Sequence, residues 1–440
     1  TADYGGGQYG GFPMYVYDIN AFSTLPSNFS PTYALNTGCG QGNPCDPPDL
    51  WNGNIQLIDV SDGSSRLLAS FTSWADDNYP IYMIRSLDIT NGYITRADPY
   101  LFQQDAADLD DAGDCLWYEC TGYTGDPDFH VNEYGVGYMV LSSWGANSDF
   151  EAPYLHSLFF KKTTDYGNSW TDYGGFNNSG YFYISDSEII RLSDSLYTLW
   201  TESQELYPDM LWYSDTLTYD NDASNFFLTP GWFIYYDYDV RTDDNGGLHI
   251  VAIIHPFVCK DYNGGCEDND GDGLADSIYW ENRFGNSGMY HFYNSDPINA
   301  PNNWNASLIK DMSDSYIADW DQSDIKIKDS PEHYFFPKMT LSTESMGVIW
   351  FSTFGASEFY SYDSFIPTDV DIFLSKSEDN GATWTVAQNV TNTNGGNIRE
   401  IETNVYLADK AKDDQVGLMF SMPDFGVETY PPAAGYEDYM

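Results

Sequence analysis

DFHVNEYGVGYMVLSSW, residues 128–144, contains an apolar strand, a polar turn with a glycine, and a second apolar strand that ends in an aromatic residue. Similar stretches recur as SEIIRLSDSLYTLWTES (187–203), YDVRTDDNGGLHIVAII (238–254), PKMTLSTESMGVIWFST (337–353) and, more weakly, ETNVYLADKAKDDQVGLMFSM (402–422). Short runs of β-branched and aromatic residues between Gly, Asn, Asp, Ser and Pro clusters predict strands and turns. Because amphipathic helical periodicity is almost absent, we predict an all-β protein.

A second hairpin follows most of these units. These hairpins are LFFKKTTDYGNSWTD (158–172), MLWYSDTLTYDND (210–222), MYHFYNSDPINAPNNWN (289–305) and DIFLSKSEDNGATWT (371–385). Two hairpins make a four-stranded antiparallel sheet, and repeated four-stranded sheets around an axis describe a β-propeller. With a further blade in 78–125, we expect about six blades, or seven, in a single domain over residues 1–440. A two-domain β-sandwich is the alternative.

The two ends of the chain are expected to meet in one blade. Hairpin 402–422 has no hairpin after it, and NGNIQLIDVSDGSSRLLAS (53–71) has the pattern of the missing outer pair. The N- and C-terminal segments would then close the ring. Three stretches outside the repeat are expected to be loop insertions, namely 36–50, 101–127 and 256–287.

Two of the second hairpins contain the pattern S/T-x-D-x-G-x-x-W. The matching residues are Thr163, Asp165, Gly167 and Trp170 in one copy, and Ser377, Asp379, Gly381 and Trp384 in the other. A carboxylate can accept backbone N–H bonds, and glycine tolerates positive φ, so both residues suit a tight turn. The pattern resembles the Asp-box, or BNR repeat, of the sialidase-like propeller superfamily, in which the box is structural. Degenerate copies are expected around Ser295 to Trp304 and at Ser61 to Ser65.

The resemblance implies a propeller and does not by itself imply catalysis. Sialidases need an arginine triad, a Tyr–Glu nucleophile pair and an Asp acid/base. The arginines that could converge from different blades are Arg85, Arg191, Arg241 and Arg283. An arginine in an acidic protein is more often the partner of a surface carboxylate. We therefore name no catalytic residue and no organic cofactor.

Residues 268–276, DNDGDGLAD, have the composition of a calcium loop. The carboxylates of Asp268, Asp270, Asp272 and Asp276 and the carbonyl of Leu274 are oxygen donors at alternate positions, which suit a hard cation such as Ca2+. The stretch resembles the loops of thrombospondin type 3 repeats and dockerins. The residue types predict a structural calcium site, with a solvated acidic loop as the alternative.

A second acidic cluster is a weaker metal candidate. Its members are Asp105, Asp108, Asp110 and Asp114. They precede Cys115 without the alternate spacing of the first loop, so calcium and a solvated loop both stay open.

The six cysteines fall in three close pairs, which predict short disulfide loops of an oxidising compartment. The pairs are Cys39 with Cys45, Cys115 with Cys120, and Cys259 with Cys266. Metal ligation is the alternative, although no pair has C-x-x-C spacing. The chain starts at Thr1 without a basic and apolar leader, which is typical of a mature secreted protein. We expect an extracellular or cell-surface location.

The 67 acidic and 17 basic residues give a formal net charge of −50. This balance argues against nucleic-acid binding and against an anionic membrane surface, and no apolar stretch predicts membrane insertion. With 37 Tyr, 26 Phe and 13 Trp the chain can build a large core, so it is not a disordered acidic tail.

Together these features predict a secreted, calcium-stabilised, non-catalytic propeller for structural assembly or surface adhesion. Its partner would be another copy of itself, or an extracellular glycan or protein. The alternative function is a sialidase-like glycoside hydrolase or a glycan-binding propeller.

Overall fold

The computed structural model describes part of the chain. The described residues are 14–15, 33–34, 50–51, 54–73, 81–90, 93–96, 100–101, 127–144, 156–171, 182–185, 187–189, 191–192, 216–219, 222–261, 278–280, 288–311, 320–321, 324–327, 337–342, 345–353, 358–361, 364–366, 370–391, 403–411 and 415–421. Within these ranges helix is confined to 187–189 and 191–192, and the remainder is strand, turn or irregular. The all-β prediction is confirmed.

Strands account for most of the described residues. The first twelve are β1 Met14–Tyr15, β2 Tyr33–Ala34, β3 Leu50–Trp51, β4 Ile55–Asp59, β5 Ser65–Ser73, β6 Ile81–Thr90, β7 Tyr93–Arg96, β8 Tyr100–Leu101, β9 Asp128–Val131, β10 Gly137–Trp144, β11 His156–Thr163 and β12 Phe182–Tyr183. The later strands are β13 Thr216–Tyr219, β14 Asp222–Thr242, β15 Leu248–Asp261, β16 Ile278–Trp280, β17 Gly288–Asn294, β18 Asn305–Asp311, β19 Trp320–Asp321, β20 Asp324–Ile327, β21 Lys338–Leu341, β22 Met346–Thr353, β23 Glu358–Ser361, β24 Ser364–Ile366, β25 Val370–Ser377, β26 Gln388–Asn389, β27 Thr403–Leu407 and β28 Leu418–Ser421.

The strands form antiparallel sheets in which most pairs join strands that are close in the chain. Two sheets have four strands, in the orders β9–β10–β11–β12 and β21–β22–β25–β26, and the strands β23 and β24 between β22 and β25 belong to another sheet. A larger sheet has the order β13–β14–β15–β17–β18 with β16 on β15, and another has β3–β5–β6–β7 with β4 on β5 and β8 on β6. Smaller sheets are β19–β20–β23–β24, β1–β2 and β27–β28.

By compactness the chain divides into two units. The first contains residues 1–186, 240–248 and 294–303, and the second contains 187–239, 249–293 and 304–440. The core of the first unit includes Phe129, Tyr138, Val140, Phe159 and Phe160, all buried. The second unit has a buried cluster made of Val251, Ile253, Met289, Ile309, Met339, Met346 and Val348. Strands β9 and β17 are buried along nearly their whole length, so both faces of these strands contribute to the interior of the two units.

Three hairpins share one turn geometry. The turns begin at Val60, Asn132 and Asp243, and in each the N–H of the first residue donates to the carbonyl four residues later. A glycine at the fourth position donates back to the carbonyl of the first residue and has a φ of 81–87°. Only glycine adopts this left-handed conformation without strain. The recurrence of one turn identifies the repeat in three dimensions.

Hairpin 53–71 does not have the predicted outer position. Its strands β4 and β5 pair with each other, and β5 also pairs with β6 and β3. Its turn, which begins at Val60, has the same geometry as the turns that begin at Asn132 and Asp243. The hairpin therefore corresponds to the first hairpin of a repeat, like 128–144. The alternating pattern alone does not distinguish the first hairpin of a sheet from the second.

The predicted hairpin 187–203 is also wrong at its start, because residues 187–189 and 191–192 are helical. Ile189 and Leu192 are buried three residues apart, which is the spacing of one helical face. The carboxylate of Glu188 accepts a bond from the Trp304 N–H and pairs with Arg191. These contacts stabilise a helical turn where the β-rich composition predicts a strand.

Part of the predicted insertion 256–287 is a paired ribbon. Phe257, Val258 and Cys259 of β15 pair with Trp280, Tyr279 and Ile278 of β16. The candidate calcium loop thus lies in the segment that connects two paired strands.

Candidate functional site

Two carboxylates occupy the same position in successive repeats. Asp128 and Asp239 each lie four residues before a turn that begins with Asn132 or Asp243. In β9 the pair Val131↔Gly137 adjoins the turn, and Asp128 pairs with Val140 at the other end of the strand. The sequence did not lead to a prediction of Asp239 as a site residue. Alignment of the turns would have found it, because Asp239 has the same offset from the turn glycine Gly246 as Asp128 has from Gly135.

Asp128 is held by three donors in the first unit. Its Oδ2 accepts the N–H of Val240 at 2.8 Å, and its Oδ1 accepts the N–H of Phe129 at 2.8 Å and the Asn54 amide at 2.6 Å. The side chain is 7% exposed. A buried carboxylate needs such partners to offset the loss of hydration. The position of the carboxylate is therefore well defined.

Asp239 has a different environment in the second unit. It is 1% exposed, its Oδ2 accepts the N–H of Met339 at 2.7 Å, and its Oδ1 lies 3.4 Å from the Lys338 ammonium. The Lys338 side chain is 29% exposed, so the ammonium reaches solvent. A buried carboxylate beside a partly exposed cation can act as a general base or as an electrostatic stabiliser of a developing positive charge.

His130 lies two residues after Asp128 on β9, so the two residues are on the same face of the strand. Its Nδ1 accepts the N–H of Thr242 at 3.0 Å, so the neutral ring carries its proton on Nε2. The Thr242 hydroxyl donates to the His130 carbonyl. This histidine stabilises the contact between two inner strands of the first unit.

The two S/T-x-D-x-G-x-x-W turns, residues 163–170 and 377–384, are called the first and second box turns. In the first, the Thr163 hydroxyl donates to Asp165 at 2.9 Å and accepts the Gly167 N–H at 3.0 Å. Asp165 also accepts the N–H and the hydroxyl of Ser169 at 2.8 and 2.7 Å. The glycine has a φ of 70°.

The second box turn repeats this pattern. The Ser377 hydroxyl donates to Asp379 and accepts the Gly381 N–H, both at 2.8 Å, and Asp379 accepts the N–H and hydroxyl of Thr383. Bonds from Thr383, and then from Ser377, lower the pKa of Asp379 to about 2. The carboxylate is thus charged as a turn-forming acceptor at any ordinary pH.

A related turn lies in 294–304. The side-chain oxygen Oδ1 of Asn294 accepts the Asp296 N–H at 2.9 Å, and its side-chain amide donates to the Ala300 carbonyl. Trp304 is buried. Asn294 thus takes the place of the hydroxyl residue, with a longer turn before the Trp. At the other predicted degenerate copy, Asp62 accepts the N–H and hydroxyl of Ser64 in the β4–β5 turn, which is the turn of a first hairpin.

Each box turn rests on a neighbouring strand. Arg66 of β5 donates to the carbonyls of Asp165 and Tyr166, and a Cβ on Gly167 would come within 2.6 Å of Leu68. In the second unit, His291 and Ser307 face the carbonyl of Gly381. These contacts attach each box turn to a neighbouring strand.

The arginines of the predicted convergent set have structural partners where their side chains are described. Arg191 donates to the Glu188 carboxylate and to the Trp304 carbonyl, and buried Arg241 donates to the Val240 carbonyl. The Arg85 side chain and Arg283 lie outside the described residues.

The predicted metal residues and most of the cysteines lie outside the described residues. This holds for both acidic clusters and for Cys39, Cys45, Cys115, Cys120 and Cys266, whereas Cys259 lies in β15. In the part of the chain that the structure describes, no group of three or more His, Cys, Asp or Glu side chains could hold a metal. In the same part, no helix is long and apolar enough to cross a membrane.

Comparison with known proteins gives remote structural similarities. No protein-family model and no curated sequence matches the chain. The polysaccharide lyase Uly1 matches with a TM-score of 0.38 and 11% identity, over 91% of this chain and 60% of the lyase. The α-L-arabinofuranosidase PaAbf62A of Podospora anserina matches with a TM-score of 0.31 and 12% identity, over 88% and 86%. A Trypanosoma rangeli sialidase matches with a TM-score of 0.28 and 11% identity, over 76% and 36%.

These neighbours correct the first functional prediction. All three are named as enzymes, which contradicts the prediction of a non-catalytic assembly or adhesion protein. That prediction is wrong, and its alternative is carried forward. This chain spans 60% of the length of the lyase and 36% of the length of the sialidase, and at these identities the similarities assign no substrate to it.

Proposed function

We propose that the chain is an extracellular β-propeller that cleaves a glycan, with Asp239 as a catalytic carboxylate. A repeated contact supports the propeller. Asp128 binds the N–H of Val240 in the first unit, and Asp239 binds the N–H of Met339 in the second. The two accepting aspartates occupy the same position in their hairpins, and the two residues whose N–H groups donate occupy the same position in the hairpins that follow. Repetition of one sheet-to-sheet relation is what a propeller requires.

The number of first hairpins supports five blades rather than the six or seven expected from sequence. Among the described residues, five hairpins fit this role: β4–β5, β9–β10, β14–β15, β21–β22 and β27–β28. The count includes hairpin 53–71 and omits the helical segment at 187–192.

The environment of Asp239 is the observation that supports a catalytic role for this residue. Glycoside hydrolysis uses two carboxyl groups, one as acid and the other as base or nucleophile. A carboxylate that is almost fully buried, fixed by one backbone N–H and paired with a partly exposed Lys338, fits the second role.

The test is a substrate screen followed by one conservative substitution. The full chain is incubated with arabinans, galactans, sialosides and uronate-containing polysaccharides, and reducing ends and unsaturated products are measured. For a cleaved substrate, Asp239→Asn should lower kcat by roughly 10²–10⁴-fold, since a positioned acid or base contributes that much. The asparagine oxygen still accepts the Met339 N–H, so the melting temperature should change little.

Glu378→Gln is the matched control, because it makes the same chemical change in a side chain that is 76% exposed on the second box turn. Its activity should equal that of the unchanged protein. Cleavage at an unchanged rate in Asp239→Asn would contradict the role of Asp239. Glycan binding without any cleavage would favour the glycan-binding alternative over hydrolysis.

The extracellular location, the calcium loop and the three disulfides belong to the same proposal. Six cysteines in close pairs and oxygen donors at alternate positions of 268–276 support them. In this proposal calcium orders the segment between β15 and β16, and the partner is an extracellular glycan.

A further inference from the structure

Two histidines of the second unit form a buried hydrogen-bonded pair. His249 on β15 is fully buried and His291 on β17 is 2% exposed. The Nδ1 of His249 lies 3.0 Å from the Nε2 of His291, and the Nδ1 of His291 lies 3.2 Å from the Gly381 carbonyl. The two rings stack with their centroids 5.2 Å apart.

The partners determine where the protons are. A carbonyl can only accept, so the Nδ1 of His291 must carry a hydrogen. In the neutral ring its Nε2 then has a lone pair, which accepts the Nδ1–H of His249. When both rings are neutral, each carries its proton on Nδ1. A further proton on His291 has to go to Nε2, where it breaks the bond from His249, and it leaves a charge in a buried position.

The pair helps to hold the second box turn in place. The Gly381 carbonyl, in the middle of that turn, accepts bonds from His291 and from the Ser307 hydroxyl of β18. The Trp384 indole N–H donates to the same hydroxyl at 3.0 Å, and its ring meets His291 edge-on. These polar contacts attach the turn to β17 and β18, and Trp384 also packs against the buried cluster of the second unit.

We propose that the His249–His291 pair is a pH-sensitive latch, and that proton uptake in mildly acidic solution releases the second box turn from β17 and β18. This inference is independent of the catalytic proposal. Histidine is suited to the role because its ordinary pKa is about 6.5.

Among the described residues, the contacts of His291 include no carboxylate that would compensate an added charge. From β15 the titratable group is His249, and from its own strand it is Tyr293, whose ring stacks on His249 at 4.4 Å. From the box turn it meets the Gly381 carbonyl and the Trp384 ring.

The charges of the box turn itself have other partners. Glu378 pairs with Lys376, and Asp379 accepts bonds from Ser377 and Thr383.

Burial lowers the pKa of His291 well below its ordinary value, and repulsion from His249, when that ring is charged, lowers it further. In an opened state the ring regains a pKa of about 6.5, so the opened state binds a proton first. The latch is therefore closed above pH 6.5 and weakens as pH falls below that value. Between pH 7.5 and pH 5.0, one such histidine favours opening by roughly thirtyfold.

The first box turn is a built-in control. It has the same internal bonds, but it rests on Arg66 and Leu68 instead of a histidine. Burial raises the pKa of Asp165, and the bonds from Ser169, Thr163 and Asn168 outweigh this and lower it, while the pKa of Asp379 is about 2. Neither carboxylate titrates between pH 5 and pH 7.5.

Hydrogen exchange of the full chain tests the latch. Peptides that cover residues 377–391 and 163–171 are followed by mass spectrometry at pH 7.5 and pH 5.0, with correction for intrinsic exchange rates. We expect the protection of the second box turn to fall about tenfold or more relative to the first. Parallel behaviour of the two turns would overturn the proposal, whatever any variant does.

The variant His291→Asn extends the experiment, because its side chain at position 291 cannot titrate. Its side-chain amide can still donate to the Gly381 carbonyl, so the turn should stay protected at pH 7.5 and lose its acid response. An acid response of unchanged size in folded His291→Asn would assign the effect to another group and overturn the proposal. If the variant does not fold, the comparison of the two turns in the unchanged protein decides the question.

Discussion

At the scale of single residues, glycines with positive φ have two different environments. A Cβ added to Gly63, with a φ of 87°, would have no heavy atom within 4 Å. A Cβ added to Gly381, with a φ of 82°, would lie 2.2 Å from the His291 ring. Gly63 is therefore required by conformation alone, whereas Gly381 is required by conformation and by the closeness of a buried ring.

Alanine substitution should separate these two requirements. Gly63→Ala should lower the free energy of unfolding by about 1–2 kcal/mol, the cost of a left-handed backbone for a residue with a side chain. Gly381→Ala should cost a further ~1–3 kcal/mol, because the ring has to move in a close-packed site. Urea unfolding measures both values. Equal losses in the two variants would mean that the ring of His291 yields without cost.

At the scale of elements, the repeated turn links hairpins to one another. The side-chain oxygen Oδ1 of Asn132 accepts the N–H groups of Tyr134 and Val136, and its side-chain amide donates to the Asp243 carbonyl at 2.7 Å. Asp243 in turn accepts the N–H groups of its own turn. One side chain thus orders its own turn and attaches it to the next.

Asn132→Ala should therefore lower the free energy of unfolding by more than the loss of a turn-forming side chain in a solvated turn does. We expect a loss of about 2–3 kcal/mol in unfolding free energy, since two partly buried N–H groups and one carbonyl lose a partner. Asp62→Ala, in the exposed β4–β5 turn, loses bonds to Ser64 only and should cost less than about 1 kcal/mol. Thermal unfolding of both variants compares them, and a cheaper Asn132→Ala would contradict the linking role.

The hairpins were predictable because strand alternation and turn residues are local signals. Glycines such as Gly135 and Gly246 mark the turns in the sequence itself. The roles of hairpin 53–71 and of Asp239 were not predictable, because they depend on which strand lies beside which. The helix at Glu188 was missed because its main support, Trp304, is distant in sequence.

At the scale of the whole molecule, the net charge of −50 opposes compactness. Like charges repel one another across the surface, and bound divalent cations reduce this repulsion. The proposed calcium loop at 268–276 would add two positive charges where several carboxylates meet.

Chelation should therefore lower the melting temperature at fixed ionic strength. A calcium chelator is compared with an equal ionic strength of sodium chloride, and calcium is then added back. We expect the melting temperature to fall by several degrees and to recover with calcium, since a ligand that binds only the native state stabilises it. An identical melting curve in excess chelator would contradict the calcium proposal.

The repeated turns also bear on how such a chain can change over generations. In the β10–β11 and β22–β25 pairs the register is fixed at one end by Gly137↔Thr163 and Met346↔Ser377. The connections between the paired strands leave from the opposite end, and one of them contains β23 and β24. Insertions in these connections leave the hydrogen bonds of the turns at the other end of the sheets unchanged. The connections can therefore grow longer during evolution while the turns keep the fold.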